Sequence, residues 1–218
     1  MQDVTDDTDI YGPVFEKEKD VVNTSIHLAF KHFLRGELLF LTNFELAAER
    51  AIKYGDLFFQ LCPAVFIGTV ETFHRGVALY DMARKHRKRK FKSRAKKIRQ
   101  LIKQWVKDGN PNIEHYDLLL DAENASLSKA KFDVAGQLYL KAINSAAQLG
   151  HLQHSGLCHE RFADFLLHAH SGEKAYSFQM SEAIRCYVEW GAMGKVHRLK
   201  MQLQKNLAIG VPSESSHS

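Results

Sequence analysis

Apolar residues recur every three or four positions along most of this chain, which is the spacing of an amphipathic helix. The pattern covers residues 20–41 and begins again over residues 44–55, where it is rich in alanine and extends to about Cys62. Pro63 then restarts the chain, because proline fits the first turn of a helix but not its interior. Apolar and polar residues nowhere alternate for long enough to predict a strand. The pattern therefore predicts an all-α protein.

Further helices follow from the same spacing. The first covers residues 64–86, and the second is an amphipathic segment that stops at the helix-breaking run 108–111. The others cover residues 112–128, 132–149, 155–169, 173–190 and 193 to about 206. We expect about nine helices, paired antiparallel in one domain over residues 20–206. The acidic residues 1–19 are predicted to form a flexible lead-in and residues 207–218 a disordered tail, because polar chain ends have little to bury in a core.

One segment of the chain is repeated further on. KFDVAGQLYLKAINSAAQLG (Lys131–Gly150) aligns with GEKAYSFQMSEAIRCYVEWG (Gly172–Gly191), so that an Ala-Ile pair and the closing glycine coincide. A period of about 41 residues, with alanine and an aromatic residue at fixed helical offsets, is typical of stacked helix pairs. Such pairs cannot bury their apolar faces alone, so they stack and present a long surface to a partner. We therefore expect an elongated antiparallel helix-hairpin solenoid of the tetratricopeptide (TPR-like) type.

Small residues should mark the places where two helices approach closely, and larger residues should fill the space beside them. A glycine at the end of each copy suits a left-handed helix cap. On this basis the residues predicted to pack the repeats are Ala135, Tyr139, Ala142, Ile143, Gly150, Ala163, Ala183, Tyr187, Trp190 and Gly191.

Three consecutive strings resemble a known protein region. They are GQLYLKAINSAAQLG, LCHERFADFLLHAHSGEKA and MSEAIRCYVEWGAMGKVHRL, and the last contains the fairly specific run Trp-Gly-Ala-x-x-Lys-Val. The matching residues are Tyr139, Ala142, Ile143, Gly150, Glu160, Ala163, Phe165, Met180, Ala183, Tyr187, Trp190, Gly191, Ala192, Lys195 and Val196. Over residues 130–199 this order resembles the helical-repeat region of multidomain signalling ATPase–histidine kinases, whose NTPase module is of the AAA or STAND type.

The resemblance implies a function as well as a fold. It implies a non-catalytic helical-repeat module that makes protein–protein or intramolecular regulatory contacts in signal transduction. The implied partners are signalling ATPase or kinase modules, which lie on the same chain in relatives. We expect a cytoplasmic location, with a nuclear location through the basic residues 84–103 as the alternative. The chain departs from the pattern at Tyr176 and Gln179, where a small residue and an aromatic residue are usual.

Motifs for catalysis, a cofactor or a metal do not stand out. The string GAMGK at Gly191–Lys195 is too short for the phosphate loop of an NTPase, and valine follows it where that loop needs serine or threonine. Cys62, Cys158 and Cys186 are an odd number without close spacing, which favours a reducing compartment. Because no run reaches 18 apolar residues, we expect no transmembrane helix. We also expect that the protein is not an enzyme and needs no cofactor.

Positive charge is concentrated in one segment. Residues 84–103 hold twelve lysines and arginines and no acid, which leaves 18 basic against 25 acidic residues elsewhere. The candidate contacts to a polyanion are Arg84, Lys85, Arg87, Lys88, Arg89, Lys90, Lys92, Arg94, Lys96, Lys97 and Arg99. Three interpretations follow: a solvated face or one paired with acids of the same chain, a nuclear-import address or unspecific polyanion contact, and specific nucleic-acid recognition. The alternative function is thus binding of nucleic acid or an anionic membrane through residues 84–99.

Overall fold

The computed structural model describes residues 21–54, 66–169 and 172–210. Nine α-helices follow one another in these ranges: α1 (Val21–Thr42), α2 (Phe44–Tyr54), α3 (Phe66–His86), α4 (Arg89–Lys107), α5 (Glu114–Ala125), α6 (Phe132–Gln148), α7 (Leu152–His168), α8 (Glu173–Glu189) and α9 (Met193–Gly210). Short 3₁₀ turns at Pro111–Ile113 and Lys129–Lys131 precede α5 and α6. The prediction of an all-α protein is confirmed for the described residues, which contain no strand.

Most helix boundaries lie within a few residues of those expected. Helix α7 begins at Leu152, three residues before the predicted start, and α5 ends at Ala125 rather than near residue 128. Helix α9 continues to Gly210, four residues into the predicted tail, because a leucine and an alanine follow Asn206 and both favour helix. The predicted extension of α2 to Cys62, the lead-in 1–19 and residues 211–218 lie outside the described residues.

The chain turns in the same way at three glycines that are evenly spaced by one repeat period. Gly109, Gly150 and Gly191 have φ values of 98°, 71° and 84°. After each glycine, the amide of the next residue donates to a carbonyl five residues earlier, at 3.2, 3.0 and 2.9 Å respectively. This hydrogen bond belongs to a Schellman cap, whose positive φ glycine adopts without strain. The period that the sequence indicated for two units therefore extends to a third, in which α4 ends before Gly109.

Equivalent positions of the three units carry core side chains. Ile98, Tyr139 and Met180 lie one period apart in α4, α6 and α8, and each is at most 8% exposed. Ala142 and Ala183 are fully buried, as a close approach between helices requires. The other predicted packing residues that are buried are Ala135, Ile143, Ala163 and Tyr187. From α1 to α9 each of these helices packs against the next one in this order.

The first and last described helices also touch. Arg198 of α9 donates from Nη1 to the carbonyl oxygen of Thr42 at 2.6 Å and from Nη2 to that of Leu41 at 2.5 Å. These carbonyls end α1, where a cationic side chain satisfies free acceptors and the helix dipole together. The described helices therefore curve enough to bring α9 to the end of α1, which an elongated stack does not predict.

Candidate functional site

The basic segment does not form one continuous face. A corner at Arg87, where φ is 52°, separates α3 from α4. Before the corner the cations meet carboxylates of the protein: Arg84 Nη2 lies 2.5 Å from Glu123 Oε2, and Lys85 Nζ lies 2.8 Å from Asp81 Oδ2. The side chain of Arg84 is only 9% exposed. Arg84 is therefore not an open contact for a polyanion, because its charge is used inside the protein.

Helix α4 buries one side and exposes the other. Its buried residues are Phe91, Ala95, Ile98 and Ile102. Arg89, Lys92 and Lys96, hereafter the α4 stripe, follow one another at offsets of three and four residues, and all three are exposed. Because an α-helix rises 1.5 Å per residue, the stripe is about 10.5 Å long.

Other cations of α4 have acidic neighbours. Arg99 Nε bonds Asp121 Oδ1 of α5, and Lys103 Nζ lies 3.4 Å from the second oxygen of the same carboxylate. Arg99 is therefore a paired residue rather than an open contact. Lys97 is exposed, as are Arg87 and Arg94.

A groove of about 330 Å³ lies where α2 meets the corner between α3 and α4. Lys88 and Lys90 line it together with Glu45 and Glu49 of α2. The two glutamates offset the charge of the two lysines on this flank. The residues of the α4 stripe do not line this groove.

Large apolar side chains are also exposed near the turns that follow α6 and α8. They are Leu149, Val188, Trp190 and Met193, hereafter the apolar edge. Leu149 and Trp190 occupy equivalent positions of two successive units, and they are 39% and 44% exposed. Trp190 was predicted to pack the repeats. It is instead the C-terminal cap residue of α8, where the chain leaves the helix interface, and its ring lies 6.3 Å from that of Tyr187.

A buried ion network joins α3, α5 and α7, and the sequence pattern did not reveal it. Arg161 Nε lies 2.8 Å from Glu123 Oε1, and its Nη1 lies 3.0 Å from both Asp81 Oδ1 and Asp164 Oδ2. Arg84 reaches the other oxygen of Glu123. Burial alone would raise the pKa of Asp81, but Arg161 and a neighbouring lysine outweigh it and hold that pKa at about 2. The network is a structural junction, because the side chains of Arg161 and Glu123 are fully buried.

The polar residues Glu160, Tyr187 and Lys195 also meet in the interior. Tyr187 Oη donates to Glu160 Oε2 at 3.0 Å, and Lys195 Nζ donates to Glu160 Oε1 at 2.7 Å. Burial raises the pKa of Tyr187, and Glu160 raises it further. Burial also lowers the pKa of Lys195, although Glu160 opposes this change. The cluster ties α7, α8 and α9 together, and all three residues are buried away from any substrate.

Histidines from α5 and α7 form a third buried cluster. His115 Nε2 and His154 Nδ1 share a hydrogen bond of 3.0 Å, and His154 Nε2 lies 3.3 Å from Tyr116 Oη. Burial lowers the pKa of His115 to about 3 and that of His154 to about 2, and neighbouring imidazoles add to both shifts. Both rings are therefore neutral near pH 7. Within the described ranges, no group of three His, Cys, Asp or Glu side chains is arranged to hold a metal ion.

Comparison of the chain with protein-family models, curated proteins and solved structures finds no match. Among the helices of residues 21–54, 66–169 and 172–210, none is both long enough and apolar enough to cross a membrane. The relation to signalling ATPase–histidine kinases stays a prediction from the sequence.

Proposed function

We propose that this chain is a non-catalytic, TPR-like helical-repeat module that makes regulatory protein–protein contacts in cytoplasmic signal transduction. Its partner is the NTPase or the kinase module of a signalling ATPase–histidine kinase, as the resemblance over residues 130–199 implies. The observation that carries the proposal is the apolar edge, the exposed set of large apolar side chains at the turns of two successive units.

The position of this edge suits a protein contact. When helices stack antiparallel, every second helix runs in the same direction, so the turns after α6 and α8 belong to one side of a solenoid. Leu149 and Trp190 then line that side, with Val188 and Met193 beside them. Contiguous exposed apolar surface, rimmed by polar residues, commonly marks a binding site. Tryptophan and methionine are enriched in protein interfaces, and tryptophan often supplies much of their binding free energy.

The polar clusters support a role without catalysis. Arg161 and Glu123 are fully buried, and Glu160, Tyr187 and Lys195 of the second cluster are buried as well. A catalytic group must come within hydrogen-bond reach of a substrate atom. These clusters instead connect helices, so the surface is where the protein meets its partner.

Calorimetric titration of the full chain with a purified NTPase module, and separately with a purified kinase module, of such a signalling protein tests the proposal. We expect saturable binding to one of them. Replacing Trp190 and Met193 together with alanine should weaken it at least about tenfold, which is about 1.4 kcal/mol. The matched control replaces Val134 and Leu140, exposed apolar residues of α6 outside the edge, with alanine. Absence of binding to either module, or equal weakening by the control, contradicts the proposal.

A further inference from the structure

We propose that the α4 stripe is a contact for the phosphate backbone of a nucleic-acid duplex, and that it binds without sequence specificity. The stripe places Arg89, Lys92 and Lys96 along one exposed strip of the helix, about 10.5 Å long. A duplex carries one negative charge per about 1.7 Å of its axis, so several phosphates lie within this length. The proposal concerns a surface that the protein-contact function does not use.

The stripe differs from the four cations of the basic segment that form ion pairs inside the protein. Arg84 faces Glu123, Lys85 faces Asp81, and Arg99 shares Asp121 with Lys103. Each of these cations turns toward α3 or α5 and meets a carboxylate there. By contrast, none of the three stripe residues forms an ion pair with any carboxylate of the described residues. The fold thus neutralises the paired cations and leaves the stripe to an external anion.

The helix that carries the stripe is held firmly in the protein. Phe91, Ala95, Ile98 and Ile102 anchor α4 in the core beneath the stripe. The backbone that carries the three cations is therefore held in place before an anion arrives. A preorganised array loses less conformational entropy on binding than the same charges on a flexible tail. The sequence alone did not distinguish these two cases.

A nucleic acid fits this surface better than an anionic membrane. Stable attachment of a basic helix to a lipid surface uses apolar residues that enter the acyl boundary beside the cations. The apolar residues between Arg89 and Ile98 are already buried in the protein core, so they are not available to lipid. Arginine and lysine alone suffice for phosphate backbones, where charge neutralisation and counterion release supply most of the unspecific affinity.

Sequence specificity is not expected from the stripe. Specific recognition needs side chains that read base edges in a groove, in addition to phosphate contacts. The exposed surface beside the stripe offers Ser93, and Gln100 is exposed one turn after Lys96. It offers no cluster of aromatic or amide side chains. The salt dependence of binding should therefore be the main signature.

The test compares two variants of the full chain that lose the same charge. The first replaces the stripe residues Arg89, Lys92 and Lys96 with glutamine. The control replaces Lys129, Lys131 and Lys141 with glutamine, three exposed lysines of the turn before α6 and of α6 itself. Fluorescence anisotropy with a labelled duplex of about 20 base pairs, from about 50 to about 200 mM KCl, gives the slope of log affinity against log salt. Vesicles containing phosphatidylserine, at the same concentration of anionic groups, form the second arm.

The proposal predicts that the stripe variant lowers the magnitude of the salt slope by about 2.7, which is about 0.9 for each phosphate that the three cations no longer neutralise. The control variant should leave the slope unchanged, and two duplexes of unrelated sequence should bind equally. Three results would overturn the proposal: no duplex binding by the wild-type chain at the lowest salt, an equal change in the control, or tighter binding to the vesicles than to the duplex. The first would show that the stripe is only a solvated face, and the second that net charge alone governs binding.

Discussion

The burial of an ion pair should decide what it contributes to stability, and two arginines of neighbouring helices allow this to be measured. Arg161 of α7 is fully buried and contacts three carboxylates. Arg185 of α8 contacts Glu182 at 3.0 Å and Glu189 at 3.4 Å, but its side chain is 59% exposed. Replacement of each arginine by methionine keeps much of the volume and helix propensity and removes the charge.

The two replacements should differ by about 2 kcal/mol in the free energy of unfolding. Removing one partner of a buried ion pair costs about 3–5 kcal/mol, because the remaining charge stays desolvated without compensation. In Arg161→Met, Glu123 keeps its ion pair with Arg84, and Asp81 keeps its ion pair with Lys85. Asp164 is then the carboxylate that loses its ion pair with Arg161 and receives none of these cations in exchange. We therefore expect a loss near the lower limit, about 3 kcal/mol. In Arg185→Met, two exposed pairs within one helix contribute about 0.3–0.5 kcal/mol each.

Urea unfolding, followed by far-ultraviolet circular dichroism, measures the free energy of unfolding of both variants and of the wild type. Equal dependence on urea in all three proteins would show that the same surface is exposed on unfolding. Losses that agree within about 0.5 kcal/mol would refute the reasoning, because additive surface effects scatter by that amount. The ion network would then have to be open to water in solution.

Two further predictions concern the core. His115 and His154 are neutral in the folded protein and take up protons on unfolding at acidic pH. The free energy of unfolding should therefore fall as the pH drops below about 6.5, by about 2 kcal/mol per imidazole at about pH 5. Equal free energies of unfolding near pH 7 and pH 5 in urea titrations would contradict this prediction. Ala183→Leu should overpack the fully buried contact of α8 and cost about 1–3 kcal/mol, whereas Ala147→Leu at an exposed position of α6 should cost little. Equal thermal midpoints for the two leucine variants would show that the repeat register is wrong.

The helices were predictable because their apolar spacing and their terminating glycines are local signals. The unit that ends at Gly109 was missed because its local signal is weaker. Arg94 and Leu101 of α4 stand where the unit Lys131–Gly150 has Ala135 and Ala142, so the alanine signature is absent. The position of Gly109, one repeat period before Gly150, was the signal that could have revealed it.

The polar interior could not be predicted from local patterns. Arg161 is 80 positions from Asp81 and 38 from Glu123, and each of these residues alone looks like an ordinary charged residue of a helix. Only the packing of α3, α5 and α7 decides that these charges meet. Trp190 shows the opposite case, because its apolar side chain suggested a core position, while the cap geometry of α8 leaves it exposed.

The proposed contact at the apolar edge is tested most directly by the fluorescence of Trp190. The chain has two tryptophans, Trp105 and Trp190, so Trp105→Phe leaves a single reporter within the edge. Titration of this variant with the signalling module that binds it should shift the emission of Trp190 to shorter wavelength and protect it from a soluble quencher, because its exposed ring becomes buried. Binding that is detected by calorimetry but leaves the emission and quenching of Trp190 unchanged would contradict the proposed contact.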